Sequence, residues 1–297
     1  MRYPYAMTGT LGPAVAGTWY PSDPRALATQ VDGFLDEAAS ASDDRAASVP
    51  AVLIAPHAGF VYSGAVAARG FVRLRGRRFE RVVLLGPSHY SAFSGAAMPA
   101  ASSYRTPLGE VGIDTESAAE LAALPELRID DGPFRPEHSL EAEIPFLQRA
   151  LAPGWRLLPL LIGAGSPAPS NEAVARALRP LLGPQSLVVV SSDFTHYGPR
   201  FDYVPFSEDV PGRIETLDKG AVDRILAWNA GEFESYVSRT GATICGRHAI
   251  DVLLRLPQEG FAGELADYDT SGRITGSWDH SVSYASLIFA RPEADAQ

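Results

Sequence analysis

The stretch "SLVVVSSDFTHYG", residues 186–198, shows the pattern that decides the fold. It opens with a short apolar run that predicts a buried strand, because the run is too short for a typical helix. Asp193 and His196 follow where that strand should end. A strand buried on both faces is typical of a parallel sheet, and the carboxyl ends of such strands form the edge where α/β sheets bind ligands.

Further apolar runs predict strands of the same kind: "AVLIA" (51–55), "RVVLLG" (81–86), "RLLPLLIG" (156–163) and "SYASLIFA" (283–290). Helical patterns lie between them. One is "SDPRALATQVDGFLDEAA", with Asp23 as the N-cap and Pro24 at the first helical position. Another is "EHSLEAEIPFLQRAL", which Pro145 should kink. This alternation predicts one α/β domain with a largely parallel central sheet and helices on both faces.

The domain is expected to span residues 14–291, with flexible termini at 1–13 and 292–297. Hydrophobic residues make up 46% and charged residues 20% of the chain, which is typical of a globular protein. The net charge of −10 argues against nucleic acid or an anionic membrane as a partner. Because no apolar run is long enough for a membrane span or a secretory signal, we expect a cytoplasmic protein.

Three histidines stand just beyond predicted strands. His57 follows the run at 51–55, His89 follows the run at 81–86, and His196 follows the apolar run within 186–198. Any one of them can be a core histidine bonded to a backbone carbonyl. Three at the same sheet edge instead predict a site, and Asp193 lies close enough in sequence to orient His196 or to share a ligand with it.

The segment "RPEHSLEAE" adds His138 and Glu141. On a helix these two residues share a face, since they are three positions apart. We predict that they contact the substrate. The alternative is that they belong to an ordinary helix start, where acidic side chains are favourable.

Cys245, in "TGATICGRHA" (240–249), is the single cysteine. It can be a small buried apolar residue. The other interpretation places it at the start of a helix running from 245 or 246 to about 256, where the helix dipole lowers the thiol pKa and favours a metal-binding thiolate. Two imidazoles and one anion form the facial arrangement of non-haem Fe(II) sites, and a thiolate favours Fe, Cu or Zn over Mg or Ca.

Seven motifs, in this order, resemble those of the Memo family: "AGTWYPSDP", "APHAGFVYSG", "LGPSHY", "TPLGEVGID", "EHSLEAEIPFLQ", "SSDFTHYG" and "TICGR". Its bacterial and archaeal members are often called AmmeMemoRadiSam system protein B. The resemblance runs from about residue 16 to about residue 290, nearly the whole chain. It implies a fold similar to class III extradiol dioxygenases, an iron or copper site, and, by the family name, a radical SAM partner system.

The resemblance also implies roles for individual residues. The metal ligands would be His57, His89 and Cys245; the catalytic acid–base would be His196, with Asp193 beside it; Trp19 and Tyr62 would line the pocket. The chain departs from the dioxygenases at Cys245, where those enzymes place a carboxylate. Ring cleavage is therefore not carried over with the fold.

We consider three functions. The first is an oxidoreductase with Fe(II), or else Cu, acting on a small, phenolic ligand. The second is a metal-handling module, or one that binds a peptide or protein partner, using the same pocket without turnover. The third is a zinc hydrolase in which His196 or Glu141 activates a metal-bound water.

Overall fold

The five predicted strand runs form five adjacent strands of one sheet. The computed structural model describes residues 7–41, 49–165, 167–258 and 260–291. The strands are β1 (Thr10–Leu11), β2 (Val49–Ala55), β3 (Arg81–Pro87), β4 (Ala96–Met98), β5 (Ser103–Thr106), β6 (Gly109–Gly112), β7 (Leu127–Ile129), β8 (Arg156–Ile162), β9 (Ser186–Ser191), β10 (His196–Tyr197), β11 (Ala262–Thr270) and β12 (Ser281–Arg291). The main sheet has the order β10-β12-β2-β9-β3-β8-β4-β7, and β11 pairs with β12.

This sheet is mixed. Its centre, β2-β9-β3-β8, is parallel throughout, as predicted. On one side β12 runs antiparallel to β2, and both β10 and β11 run antiparallel to β12. On the other side β4 is antiparallel to β8. Only a short helix joins β11 to β12, so the chain reverses there without the long crossover that a parallel pair needs.

Helices cover both faces of the sheet. They are α1 (Pro24–Ser40), α2 (Phe60–Phe71), α3 (Thr115–Leu121), α4 (Ile144–Ala150), α5 (Ala168–Leu178), α6 (Val210–Leu226), α7 (Ala230–Thr240), α8 (Arg247–Leu254) and α9 (Ser271–Thr275). Alternate residues of β3 point to opposite faces: Val82 and Leu84 join the core under α1, α2 and α4, whereas Val83 and Leu85 join the core under α5 to α8. Buried on both faces, the central strands are apolar along most of their length, as their sequences predict.

Helix α1 forms as its sequence predicts. The Asp23 side chain accepts a hydrogen bond from Ala26 N at 2.8 Å, and Pro24 occupies the first turn. The residues buried on its inner face are Leu27, Val31, Leu35 and Ala38. No helix of the described residues is long and apolar enough to cross a membrane.

Three details differ from the predictions. Pro145 does not kink a long helix: a 3-10 turn over 141–143 comes first, and Pro145 lies in the first turn of α4, where its missing N–H costs nothing. Residues 10–11 were expected to be flexible, yet they form β1, which pairs with β5 and buries Leu11. Residues 1–6 and 292–297 lie outside the described residues. Finally, α8 begins at Arg247, so Cys245 precedes the helix.

Candidate metal centre

The topology brings the predicted histidines to one edge. Strands β2, β9 and β3 are parallel neighbours, and their carboxyl ends lead directly into His57, Asp193 and His89. His196 follows a few residues after Asp193, where the chain turns into β10. The convergence at this edge is therefore set by strand order, which the sequence alone does not specify.

His57 is buried and held at two points. Its backbone N–H donates to Asp193 Oδ1 at 2.9 Å, and its Nδ1 lies 2.7 Å from Ser191 Oγ. Burial, with the neighbouring histidines His89 and His138, lowers the His57 pKa well below its ordinary value. The ring is therefore neutral at neutral pH, which is the form that binds a metal ion.

His89 is oriented by a carboxylate. Its Nδ1 lies 2.8 Å from Glu137 Oε1, and its backbone N–H donates to Glu137 Oε2 at 2.6 Å. Although burial raises the pKa of Glu137, the bonds to His89 lower it more, to about 2. A carboxylate bonded to one ring nitrogen fixes the tautomer and leaves the other nitrogen, Nε2, available as a ligand.

His138 stacks on His89, with ring centroids 4.7 Å apart and planes inclined by 8°. Its Nδ1 is buried without a hydrogen-bond partner among the described residues; Glu137 Oε1 lies 3.6 Å away. Burial lowers the pKa of His138 to about 4, so this ring is also neutral. One nitrogen from each of His57, His89 and His138 lies within 4.8 Å of the others, a grouping that can hold a metal ion.

Cys245 reaches the same cluster from the far end of the chain. Its Sγ lies 3.3 Å from His57 Nε2 and accepts a hydrogen bond from Asp193 N at 3.2 Å. The predicted lowering of the thiol pKa by a helix dipole is wrong for the metal-free protein. Burial, and then the charge of Asp193, raise the pKa of Cys245 well above its ordinary value. A bound metal would have to displace the thiol proton.

Gly246 explains how the cysteine loop comes so close. A Cβ at this position would lie 2.4 Å from Ser192 Cβ and 2.8 Å from Ser191 O. The Gly246 N–H donates to Ser192 Oγ at 3.1 Å. The glycine after Cys245 therefore allows the loop to pack against the end of β9.

His196 is held through its Nδ1 by two backbone carbonyls. Its Nδ1 lies 2.9 Å from Phe194 O and 3.0 Å from Thr243 O, so Nδ1 carries a proton, and in the neutral ring the lone pair is on Nε2. Asp193 does not take the predicted orienting role for this ring. Its carboxylate bonds to the backbone of His57 instead, and burial raises its pKa.

Aromatic side chains flank the histidines. The ring centroids of Trp19 and His138 lie 4.1 Å apart. The ring centroid of Tyr90, whose side chain is 59% exposed, lies 6.1 Å from that of His138. Tyr62 is in the first turn of α2 and is 41% exposed. Trp19 thus touches the cluster directly, and Tyr90 is a flanking residue that the motif comparison did not single out.

Glu141 is hydrogen-bonded to other parts of the protein. It is fully buried and accepts hydrogen bonds from Ala14 N, Val15 N and the hydroxyl of Tyr20. These bonds tie the segment that carries Trp19 to the 3-10 turn before α4. Both carboxylate oxygens are engaged, so we leave Glu141 out of the substrate contacts proposed below.

Sequence reasoning assigned no role to Glu137, Ser191 and Glu143. Glu137 contacts His89, Ser191 contacts His57, and Glu143 contacts Ser191. Glu137 stands directly before His138, and Ser191 ends the apolar run of β9, so both were within quoted motifs. Nothing in the spacing distinguished them from ordinary polar residues of a loop.

Comparison with known proteins shows the family of this chain. A family model described as "Memo-like protein" matches residues 12–288. The chain is similar to "Protein memo-1 homolog" of Caenorhabditis elegans, with 32% identity over 93% of this chain and 82% of that protein. It is also similar to "Protein MEMO1" of Xenopus laevis, at 33%, and of Homo sapiens, at 32%, each covering 91% of this chain and 94% of the relative.

A solved structure shares the fold. It is an uncharacterized protein, JW3007, from Escherichia coli K12, with a TM-score of 0.51 and 16% identity. The match covers 80% of this chain and 98% of the other. At this identity the likeness concerns the architecture only.

Proposed function

Because the chain belongs to the Memo-like family, and because three histidines and a thiol meet at the edge of its sheet, we propose that it is a metal-dependent oxidoreductase. Its metal would be mononuclear Fe(II), with copper as the second choice. The observation that carries the proposal is the 3.3 Å approach of Cys245 Sγ to His57 Nε2, because His57 also belongs to the group that it forms with His89 and His138.

The donor geometry supports a shared ion. Two protein atoms that bind the same ion, through bonds of about 2.3 Å to sulfur and about 2.1 Å to nitrogen, would lie roughly 3–4 Å apart. The Cys245–His57 distance lies within this range. We assign His57, His89 and Cys245 as the ligands. His138, whose buried Nδ1 has no partner among the described residues, supplies a further donor to the ion or to a bound ligand.

Iron held there would supply redox chemistry and open coordination positions for a small, phenolic ligand. The chain's own residues would bind and orient that ligand. Trp19 and Tyr62 offer apolar surface at the rim, and the unprotonated Nε2 of His196 can accept a phenolic proton and later return it. The carbonyls of Phe194 and Thr243 hold His196 in the tautomer that this proton transfer needs.

The second candidate is a binding module that holds metal, or a peptide ligand, without turnover. One observation favours it: burial raises the pKa of Cys245 well above its ordinary value, so its thiol is protonated in the metal-free protein. The family resemblance also implies that the dioxygenases have a carboxylate at this place. A soft sulfur ligand, which must lose its proton when the metal binds, suits storage or transfer of a metal as well as catalysis.

The test is metal analysis of protein purified without oxygen, followed by oxygen uptake with a panel of catechols. We expect about one iron per chain in the wild type. Cys245→Ser and His57→Ala should lose most of that iron. His248→Ala is the matched control, since His248 lies on α8 outside the cluster, and it should keep the wild-type content.

Two results would decide between the candidates. Iron that stays bound in both Cys245→Ser and His57→Ala would contradict the proposed site. The binding module would be favoured if wild type binds iron and the two variants lose it, but no catechol gives oxygen uptake.

A further inference from the structure

A buried polar group lies behind His57 that the proposed function does not use. Ser191 Oγ has three close neighbours: Ser139 O at 2.6 Å, His57 Nδ1 at 2.7 Å and Glu143 Oε1 at 2.8 Å. Ser191, Ser139 and Glu143 are all fully buried. A serine hydroxyl has one proton to donate and two lone pairs to accept with, so the three contacts strictly limit where the protons lie.

Counting protons leaves one arrangement that makes all three contacts favourable. Ser139 O is a carbonyl oxygen and can only accept, so it must receive the Ser191 hydroxyl proton. The other two neighbours must then donate to Ser191 Oγ. His57 donates from Nδ1, and Glu143 can donate only as a neutral carboxylic acid.

Other arrangements set oxygen lone pairs against each other. If the hydroxyl proton went to an ionised Glu143, the carbonyl of Ser139 would face Ser191 Oγ at 2.6 Å with no proton between them. If the hydroxyl proton went to His57 Nδ1, Ser139 O and the oxygen of an ionised Glu143 would both face Ser191 Oγ with no proton between them. Neither arrangement is acceptable in a buried site, where unmade hydrogen bonds cost the full desolvation of each group.

The second oxygen of Glu143 supports the same assignment. Glu143 Oε2 is buried and has no hydrogen-bond partner among the described residues. An ionised carboxylate would leave charge on this atom without compensation, whereas the carbonyl oxygen of a neutral acid is tolerated at a lower cost. Burial raises the pKa of Glu143 well above its ordinary value, which agrees with the neutral form.

We propose that Glu143 is a positioning residue: as a neutral carboxylic acid it donates a hydrogen bond to Ser191, which fixes His57 with the proton on Nδ1. The lone pair of His57 Nε2 then faces Cys245 Sγ. This relay, Glu143–Ser191–His57, presets the ligand nitrogen before any ion binds. Its effect on metal affinity rests on the proposed function, but the proton positions themselves do not.

The first test uses metal-free protein. Infrared difference spectra between wild type and Glu143→Gln at pH 7 should show loss of a protonated carboxyl band. Loss of a carboxylate band instead would overturn the proposal. Nitrogen NMR of labelled histidines should show His57 protonated on Nδ1 in wild type and in Glu143→Gln, because the glutamine amide can still donate to Ser191. A mixture of tautomers is expected in Ser191→Ala, and an unchanged tautomer there would count against the relay.

The second test measures iron affinity. Ser191→Ala should weaken it by about 10–100-fold, the usual effect of removing a partner of a ligating histidine. Glu143→Gln should change it by less than about threefold, because no charge is lost. A loss of tenfold or more in Glu143→Gln would mean that an ionised Glu143 contributes to the site. If wild type binds no iron, the proposed function fails, while the infrared and NMR results on metal-free protein still decide the relay.

Discussion

At the scale of single residues, the site depends on which nitrogen of each histidine carries the proton. His89 is set by Glu137, His57 by Ser191 and His196 by two backbone carbonyls, each through Nδ1. In each of the three rings, Nε2 is therefore the nitrogen that remains available to bind a metal ion or accept a proton. The sequence shows that histidines follow strands, but the tautomers are set by partners that come from other segments of the chain.

His196→Gln should lower the rate of oxygen uptake by about 10²–10⁴-fold, the usual contribution of a positioned acid–base. Its iron content should stay at the wild-type level, because His196 is not among the proposed ligands. Rates and iron content are measured on the same preparation. His280→Gln serves as the control, since His280 is exposed and is not part of the three-histidine group. A His196 variant with wild-type turnover would remove this residue from the mechanism.

Gly246→Ala should weaken iron binding by at least tenfold, since the added Cβ would overlap Ser192 and push the Cys245 loop off β9. Iron titration of the metal-free variant measures the effect. Gly33→Ala is the control, because a Cβ there meets nothing within 4 Å, on a helix where alanine is favoured. Equal iron affinity in the two variants would show that the close approach at Gly246 is dispensable.

At the scale of elements, ion pairs and caps join the periphery to the central strands. Asp114 caps α3 by accepting from Ser117 N at 3.2 Å, and it accepts from Arg81 Nε at 2.7 Å, where β3 begins. Burial raises the pKa of Asp114, but the hydrogen bonds from Arg81 and Ser117 outweigh this and leave the pKa below its ordinary value. β3 leads to His89, so this junction fixes the start of a strand that carries a ligand.

Asp114→Asn should lower the free energy of unfolding at pH 7 by about 1–3 kcal/mol, the cost of weakening a buried charged hydrogen bond. Because the folded-state pKa is lowered, the stabilisation is full above the ordinary pKa and is lost as the pH falls through the folded-state value. The difference between variant and wild type should therefore shrink toward zero in strong acid. Urea unfolding from pH 7 downward measures it.

The control for this prediction is Glu110→Gln. The hydrogen bond from Arg105 also lowers the pKa of Glu110, but Glu110 is exposed. The free energy of unfolding of Glu110→Gln should therefore hardly differ from that of the wild type. The charge-based explanation would be contradicted if the free energies of unfolding of Asp114→Asn and wild type differed by the same amount from pH 7 down to strong acid.

At the scale of the whole molecule, the proposed site joins segments that are far apart in sequence. His57 and Cys245 are separated by 188 positions, and the segment with His138 lies between them. The parallel strands β2 and β3 carry His57 and His89, while the cysteine loop approaches from the α7–α8 connection. An ion held by these residues would cross-link several parts of the fold.

Metal binding should therefore raise thermal stability. A ligand present at 100 times its dissociation constant adds about 2.7 kcal/mol to the free energy of unfolding. We expect Fe(II), added anaerobically to the metal-free protein, to raise Tm, and a chelator to reverse the shift. Cys245→Ser should show a much smaller shift under the same conditions. A Tm that does not respond to iron in wild type would contradict the cross-link.

The sequence by itself determined the strands of the central sheet, the capped start of α1 and the histidines that stand at strand ends. Local patterns suffice for these, because burial on both faces requires a continuous apolar run in a strand and an N-cap needs only its own helix. The tertiary structure alone decided the antiparallel edge strands, the place of Pro145 in the first turn of α4 and the protonated thiol of Cys245. It also decided the partners Glu137, Ser191 and Glu143, because hydrogen bonds between distant segments depend on strand order, which no local pattern encodes.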